Sequence, residues 1–256
     1  MSRPPRRNGV PACVAVIAPI IAGHLTVFLM PGNPAALATY MLGYAASLAA
    51  ASATRSFRHL LIIPVAGFAI GLAAEVVGVS TGLPFGRYEY VSLRAPRVLG
   101  VPLSVPVMWG FYAYLTYLIS ASAIRPGGLA GRALRVAYAS ALMVVLDLAM
   151  DPFMVLRTHA WVWLGGWGLE WFGIPASNFV GWYVVSAAIL TTHEALVREP
   201  TVPRGSEALA APYACLLMFF ASAVSPTLTS LIAAITTSAL AAPAMIAKCA
   251  GRSGGR

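Results

Sequence analysis

The chain has 256 residues, 59% of them hydrophobic and 10% charged, with a mean hydropathy of +0.78. That composition excludes a soluble globular domain and describes a polytopic membrane protein. The formal net charge of +9 is spread along the chain between apolar segments, so it excludes a nucleic-acid partner and points to membrane topology instead.

A spanning helix needs about 20 apolar residues. Segments of that kind fall near 10–30, 35–54, 59–79, 101–124, 133–156, 177–197, 207–224 and 226–248, which predicts an all-α fold of eight transmembrane helices. The first follows Arg3, Arg6 and Arg7 but is longer than the apolar region of a signal peptide, and it reads as a retained helix. Only Ser225-Pro226 divides the last two. Residues 1–9 and 249–256 read as flexible tails on a single membrane domain, 1–256, whose site-bearing core is 70–185. With the N-terminus inside, Arg3, Arg6, Arg7, Arg55, Arg58, Arg125, Arg132, Arg135, Arg198, Arg204, Lys248, Arg252 and Arg256 face the cytoplasm, while Arg87, Arg94, Arg97 and Arg157 lie outside. This asymmetry predicts a multi-pass protein of the cytoplasmic membrane with both termini inside. Gly127-Gly128 and Gly131 mark a short basic cytoplasmic turn.

The chain's only two aspartates, Asp147 and Asp151, sit inside the apolar run Val144 to Met154. A spacing of four puts them on one helix face. Carboxylates are expensive in hydrocarbon, so an intramembrane pair signals function; the plain alternative is a role in helix packing. By the same topology Glu75 lies near the outer end of the third segment. Trp109, Asn178 and Trp182 lie near the outer starts of the fourth and sixth. All of these fall at similar depth on one side of the membrane.

Two outer loops join these segments. One reads Thr81-Gly82-Leu83-Pro84-Phe85-Gly86-Arg87-Tyr88-Glu89-Tyr90; the other runs from Trp161 to Gly173 and holds four of the six tryptophans. Trp161, Trp167 and Trp171 are equally well explained as an interfacial aromatic belt; Trp163, Tyr88 and Tyr90 read as a lid or mouth over the acids. A weak repeat accompanies them. Residues 100–109 and 173–182 share the pattern G-[VI]-P-x-S-x-x-V-x-W, and Leu83-Pro84-Phe85 and Asp151-Pro152-Phe153 occupy comparable places upstream. Pro at the first helical turn suits both units. They run in the same direction, which predicts a parallel repeat about an axis along the membrane normal, with the site between the halves.

Two carboxylates close together in a low dielectric cannot easily both ionise, so one of Asp147 and Asp151 is expected to hold its proton and act as a donor. Aromatic faces attract cations. A buried proton donor ringed by Trp and Tyr suits protonation of an alkene and shelter of the carbocation, on an apolar isoprenoid arriving from the bilayer.

The pieces Glu75, Gly82 to Tyr90, Gly100-Val101-Pro102 with Trp109, Asp147 with Asp151-Pro152, Trp161-Val162-Trp163, and Gly173-Ile174-Pro175 with Asn178-Phe179 and Gly181-Trp182 resemble the carotenoid biosynthesis membrane hydratases. The resemblance spans about residues 70–185. It implies addition of water across the terminal double bond of an acyclic carotenoid end group, giving a tertiary alcohol, with no cofactor and no metal. It implies Asp147 or Asp151 as the acid, Glu75 as the group that orients or deprotonates water, and Tyr88, Tyr90, Trp109, Trp163, Asn178 and Trp182 around the substrate. Membrane lipids and other enzymes of the carotenoid pathway are the implied partners.

Three readings compete. A lycopene-cyclase-like enzyme shares the protonation and differs in what traps the cation. An intramembrane prenyltransferase needs Asp clusters with Lys or Arg for diphosphate, whereas Lys248 is the only lysine. A proton-coupled transporter fits an acidic relay, but the inner helix ends offer only His193-Glu194, which reads as a solvated helix end near Arg198. Cys13, Cys215 and Cys249 suggest no disulfide framework, and His24, His59, His159 and His193 are scattered.

Overall fold

The computed structural model describes residues 61–124, 127–197 and 206–253, together with Ala22, Thr26, Met30, Ala35, Thr39, Leu42, His59 and Val202. The segments expected at 10–30 and 35–54, the tail 1–9, Cys13, His24 and Arg198 lie outside the described residues. Within them the chain is helical, with six α-helices: α1 Ile62–Thr81, α2 Ser104–Ala123, α3 Gly128–Leu156, α4 Ala176–Leu196, α5 Ala210–Val224 and α6 Pro226–Ser253. A short 3₁₀ turn, Ser206–Leu209, leads into α5. α1, α3 and α6 (over Pro226–Ala244) are long and apolar enough to cross a membrane.

The apolar segments set these helices, and the boundaries differ where local chemistry intervenes. α3 begins at Gly128, so Gly128 and Gly131 are helical and the glycine turn shrinks to its first residue. α6 continues through Ser253, into the segment expected to be a tail. Pro175 occupies the cap position of α4, and Pro102 lies two residues before α2; both end short strands instead of opening the helix.

α3 is the central element, with 67% of its apolar window buried against 33% for α1 and 17% for α6. It packs against α2, α4, α5 and α6, while α1 packs against α2 and α4. α1 and α2 approach closely at Gly67, where a Cβ would stand 2.4 Å from the Cα of Gly110. Pro152 lies inside α3 and has no N–H, which deprives the Leu148 carbonyl of its helical partner. The Trp171 indole donates to that carbonyl at 2.9 Å, and the helix continues to Leu156.

The outer connections are strands where loops were expected. β1 (Arg87–Tyr90) pairs antiparallel with β4 (Trp161–Gly165), setting Tyr88 opposite Trp163 and Tyr90 opposite Trp161. Two small hairpins precede the inward helices: β2 (Arg97–Val98) with β3 (Val101–Pro102), and β5 (Glu170–Trp171) with β6 (Ile174–Pro175). Their two-residue turns are alike: Leu99 and Gly100 have φ of 49° and 87°, Phe172 and Gly173 have 53° and 83°. Both central residues at positive φ is the hairpin turn matched to strand twist, and glycine at the second position relieves its strain. The upstream tripeptides are not equivalent, however. Leu83-Pro84-Phe85 lies in the turn after α1, whereas Asp151-Pro152-Phe153 lies within α3.

Candidate active site

One end of the bundle holds an open cleft. α1 contributes Glu75, which is 6% exposed. Its Oε2 accepts the hydroxyls of Tyr88 (2.5 Å) and Tyr90 (2.6 Å), and its Oε1 accepts the Trp109 indole N–H (2.8 Å). Tyr88 and Tyr90 are two apart on β1 and so point to the same side. Burial, reinforced by the Glu75 charge, pushes both phenols well above their ordinary pKa, so they remain neutral donors to the carboxylate.

α3 contributes the aspartates. Asn178, two residues into α4, donates its amide to Asp147 Oδ2 (2.7 Å) and Asp151 Oδ2 (2.8 Å), joining the pair across the helix interface. The Trp161 indole donates to Asp151 Oδ1 (2.5 Å). Asp147 Oδ1 has no hydrogen-bond partner, and its residue is fully buried. Asp151 lines the cleft; Asp147 stands behind it, outside the lining.

Aromatic rings form the walls. Trp109 and Trp182 stack at 4.2 Å between centroids, Tyr88 meets Trp163 at 5.1 Å, and Tyr90 meets Trp161 edge-on at 6.1 Å. Three glycines make room for them. A Cβ on Gly71 would stand 2.7 Å from the Trp109 ring, one on Gly78 2.8 Å from the Tyr88 hydroxyl, and one on Gly181 2.6 Å from Phe85. Ser177 donates to the Phe85 carbonyl (2.8 Å), tying the start of α4 to the turn after α1.

Of the residues singled out from sequence, Glu75, Tyr88, Tyr90, Trp109, Asp151, Trp163, Asn178 and Trp182 all line this one cleft, and Asp147 joins it through Asn178. Trp161, for which the sequence leaves belt and site equally open, bonds Asp151. Strand alternation carried that signal: Trp161 and Trp163 share a face, while Val162 between them is exposed. Phe85, Val105, Met108 and Met150 also line the cleft. Trp167 is 58% exposed, as a belt residue would be, whereas Trp171 serves the Leu148 carbonyl.

The opposite end of the bundle overturns one expectation. Glu194 is 3% exposed and no solvated helix end. It pairs with Arg135 (2.7 Å and 3.1 Å) and accepts the Tyr117 hydroxyl (3.0 Å), while Arg132 donates to its carbonyl (2.7 Å). His193 is buried with its ring edge-to-face on Tyr117 at 4.5 Å. Arg135 can reach Glu194 because α3 and α4 run antiparallel and Arg135 lies three turns below Asp147. Leu142, Met143, Ile189 and Leu190, all fully buried, fill the bundle between this cluster and the aspartates.

A bundle of apolar helices with an acid-and-aromatic cleft at one end describes a membrane protein. The family described as "Carotenoid biosynthesis protein" matches residues 35–247, and the chain belongs to that family. Within it, the chain is 32% identical over 124 residues to bisanhydrobacterioruberin hydratase of Haloarcula japonica, a match covering 45% of this chain and 39% of that relative. The matched region thus spans well under half the length of the relative. No solved structure matches the chain.

Proposed function

We propose that this chain is an intramembrane hydratase that adds water across the terminal double bond of an acyclic carotenoid end group, giving a tertiary alcohol. The observation that carries the reading is the content of the cleft: carboxyl groups and aromatic faces, with no Arg, Lys or His among the lining residues. Such a lining suits an electron-poor centre that forms and disappears during the reaction. It offers nothing to hold a diphosphate, which disfavours a prenyltransferase. The family and its hydratase member support the carotenoid as substrate.

In this mechanism Asp151, the acid that faces the cleft, gives its proton to the CH carbon of the terminal double bond and leaves a tertiary carbocation on the dimethyl carbon. Trp109, Trp182, Trp163 and Tyr88 screen that cation through their π faces. Water adds to it, and Glu75 takes the proton the water loses; Oε1 accepts only the Trp109 N–H and keeps a lone pair for that water. Proton exchange from Glu75 back to Asp151 through water at the open mouth closes the cycle, so one water is added and no proton is consumed. Asp147 and Asn178 position Asp151. In this reading the end group enters at the open mouth of the cleft while the rest of the polyene stays in lipid.

The membrane arrangement proposed with it is eight helices with both termini on the cytoplasmic side of the cytoplasmic membrane. The thirteen-to-four distribution of Lys and Arg supports it. The matched hairpins before α2 and α4, and the stacking of Trp109 on Trp182, support two parallel units, α1–α2 and α3–α4, facing one another across the site.

Expression in a host that accumulates an acyclic carotenoid, followed by chromatography and mass spectrometry, tests the reading. A product heavier by one water per hydrated end, absent with Asp151→Asn, is the expected result. A more cyclic product of unchanged mass would make the chain a cyclase. No product from either an acyclic or a prenyl-extended carotenoid would refute the proposal.

A further inference from the structure

The charge balance of the cleft has a consequence for what binds there at rest. Glu75 accepts bonds from three neutral donors, and Asp151 accepts bonds from two, Trp161 and Asn178. None of the five supplies a positive charge. Among the residues whose side chains are described, the arginines stand elsewhere: Arg87, Arg94, Arg97 and Arg157 are exposed, and Arg132 and Arg135 bond Glu194 at the far end of α3. Buried carboxylates normally have a counter-ion, and here the space beside them is open and walled by Phe85, Tyr88, Trp109, Trp161, Trp163 and Trp182. Asp147 Oδ1, fully buried without a partner, adds a further acceptor behind the pair. Aromatic walls with anions behind them are the chemistry that recognises an alkylated ammonium group.

We propose that the cleft is a binding site for amphiphilic organic cations: a quaternary ammonium head held among Trp109, Trp163, Trp182 and Tyr88 beside Glu75 and Asp151, with its alkyl tail lying in the bilayer. The assignment deepens the hydratase reading, because a stable cation would then stand where the carbocation develops, and ligands resembling a transition state bind more tightly than substrate. It does not depend on turnover, since the Glu75 carboxylate and the rings are present in the resting protein.

The test uses the full chain in nanodiscs of zwitterionic lipid, with empty nanodiscs as the reference for partitioning. Dodecyltrimethylammonium is compared with the same alkyl chain ending in a neutral tert-butyl group, reading tryptophan fluorescence and the shift in thermal unfolding. The ammonium should bind at least about tenfold more tightly at equal bilayer mole fraction, the factor expected from a desolvated cation–π contact. That preference should fall to near unity in Glu75→Gln and persist in Asp151→Asn, because Asp151 holds its proton at rest and contributes no charge. Unfolding curves first establish which variants are folded, and the preference is judged on those that are, so loss of fold is not mistaken for loss of charge. Equal binding of the two probes by the wild-type protein, or a preference unchanged in folded Glu75→Gln, overturns the proposal. The two readings separate cleanly. Cation preference without water addition to any carotenoid leaves this site standing and refutes the hydratase. Water addition without cation preference does the reverse.

Discussion

Asp147 and Asp151 are chemically alike and one helical turn apart, yet only Asp151 lines the cleft. Asp151→Asn should therefore abolish water addition, with a loss of about 10²-fold or more, the usual contribution of a positioned acid. Asp147→Asn should reduce turnover less and leave substrate affinity unchanged, because that group acts through Asn178. Comparing initial rates and KM for the two variants, in membranes supplied with an acyclic carotenoid, checks the ordering; equal defects would mean that the proton is shared by the pair. The glycines set a second test at this scale. Gly71→Ala places a Cβ against Trp109, which is fixed by its bond to Glu75 and its stack on Trp182. The indole must shift, so activity should fall sharply while thermal unfolding moves by about 1–3 kcal/mol, the usual cost of overpacking.

At the scale of elements, the inner and outer ends of α3 do different work. The outer half carries the site and a proline whose freed carbonyl is taken by Trp171. The inner half carries Arg135, paired with Glu194 of α4 inside the bundle. Removing one partner of such a pair leaves a buried charge alone, so Arg135→Ala should destabilise the protein by about 3–5 kcal/mol. Thermal unfolding in detergent reads that loss, and the carotenoid product of whatever protein remains folded should be unchanged, because a packed apolar core separates the pair from the cleft. An altered product would mean that the two ends are coupled, which is what a transport mechanism requires.

For the whole molecule, the proposed topology puts the connection before α4 outside and the start of α3 inside. Leu169 is 88% exposed and Leu129 83% exposed, so single-cysteine variants at each position should label from opposite faces of the membrane: Leu169→Cys from outside and Leu129→Cys from the cytoplasm. Labelling of both from one side would refute the orientation.

The sequence by itself determined that the chain is a membrane protein, that the described helices occupy the apolar segments, and that Glu75, the aspartates, Asn178, Trp109 and Trp182 belong near one end of those helices. It could do so because hydropathy and helical period act over short stretches, and a carboxyl group in an apolar run is visible wherever it occurs. Only the tertiary structure decided which of those residues touch. The pairing of β1 with β4, residues more than 70 positions apart in the chain, set Trp161 on Asp151 and Tyr88 opposite Trp163. The antiparallel register of α3 and α4 brought Asn178 to both aspartates and Arg135 to Glu194. Strand pairing and helix register are contacts between distant segments, fixed by how whole faces pack, and no local pattern in either segment encodes its partner.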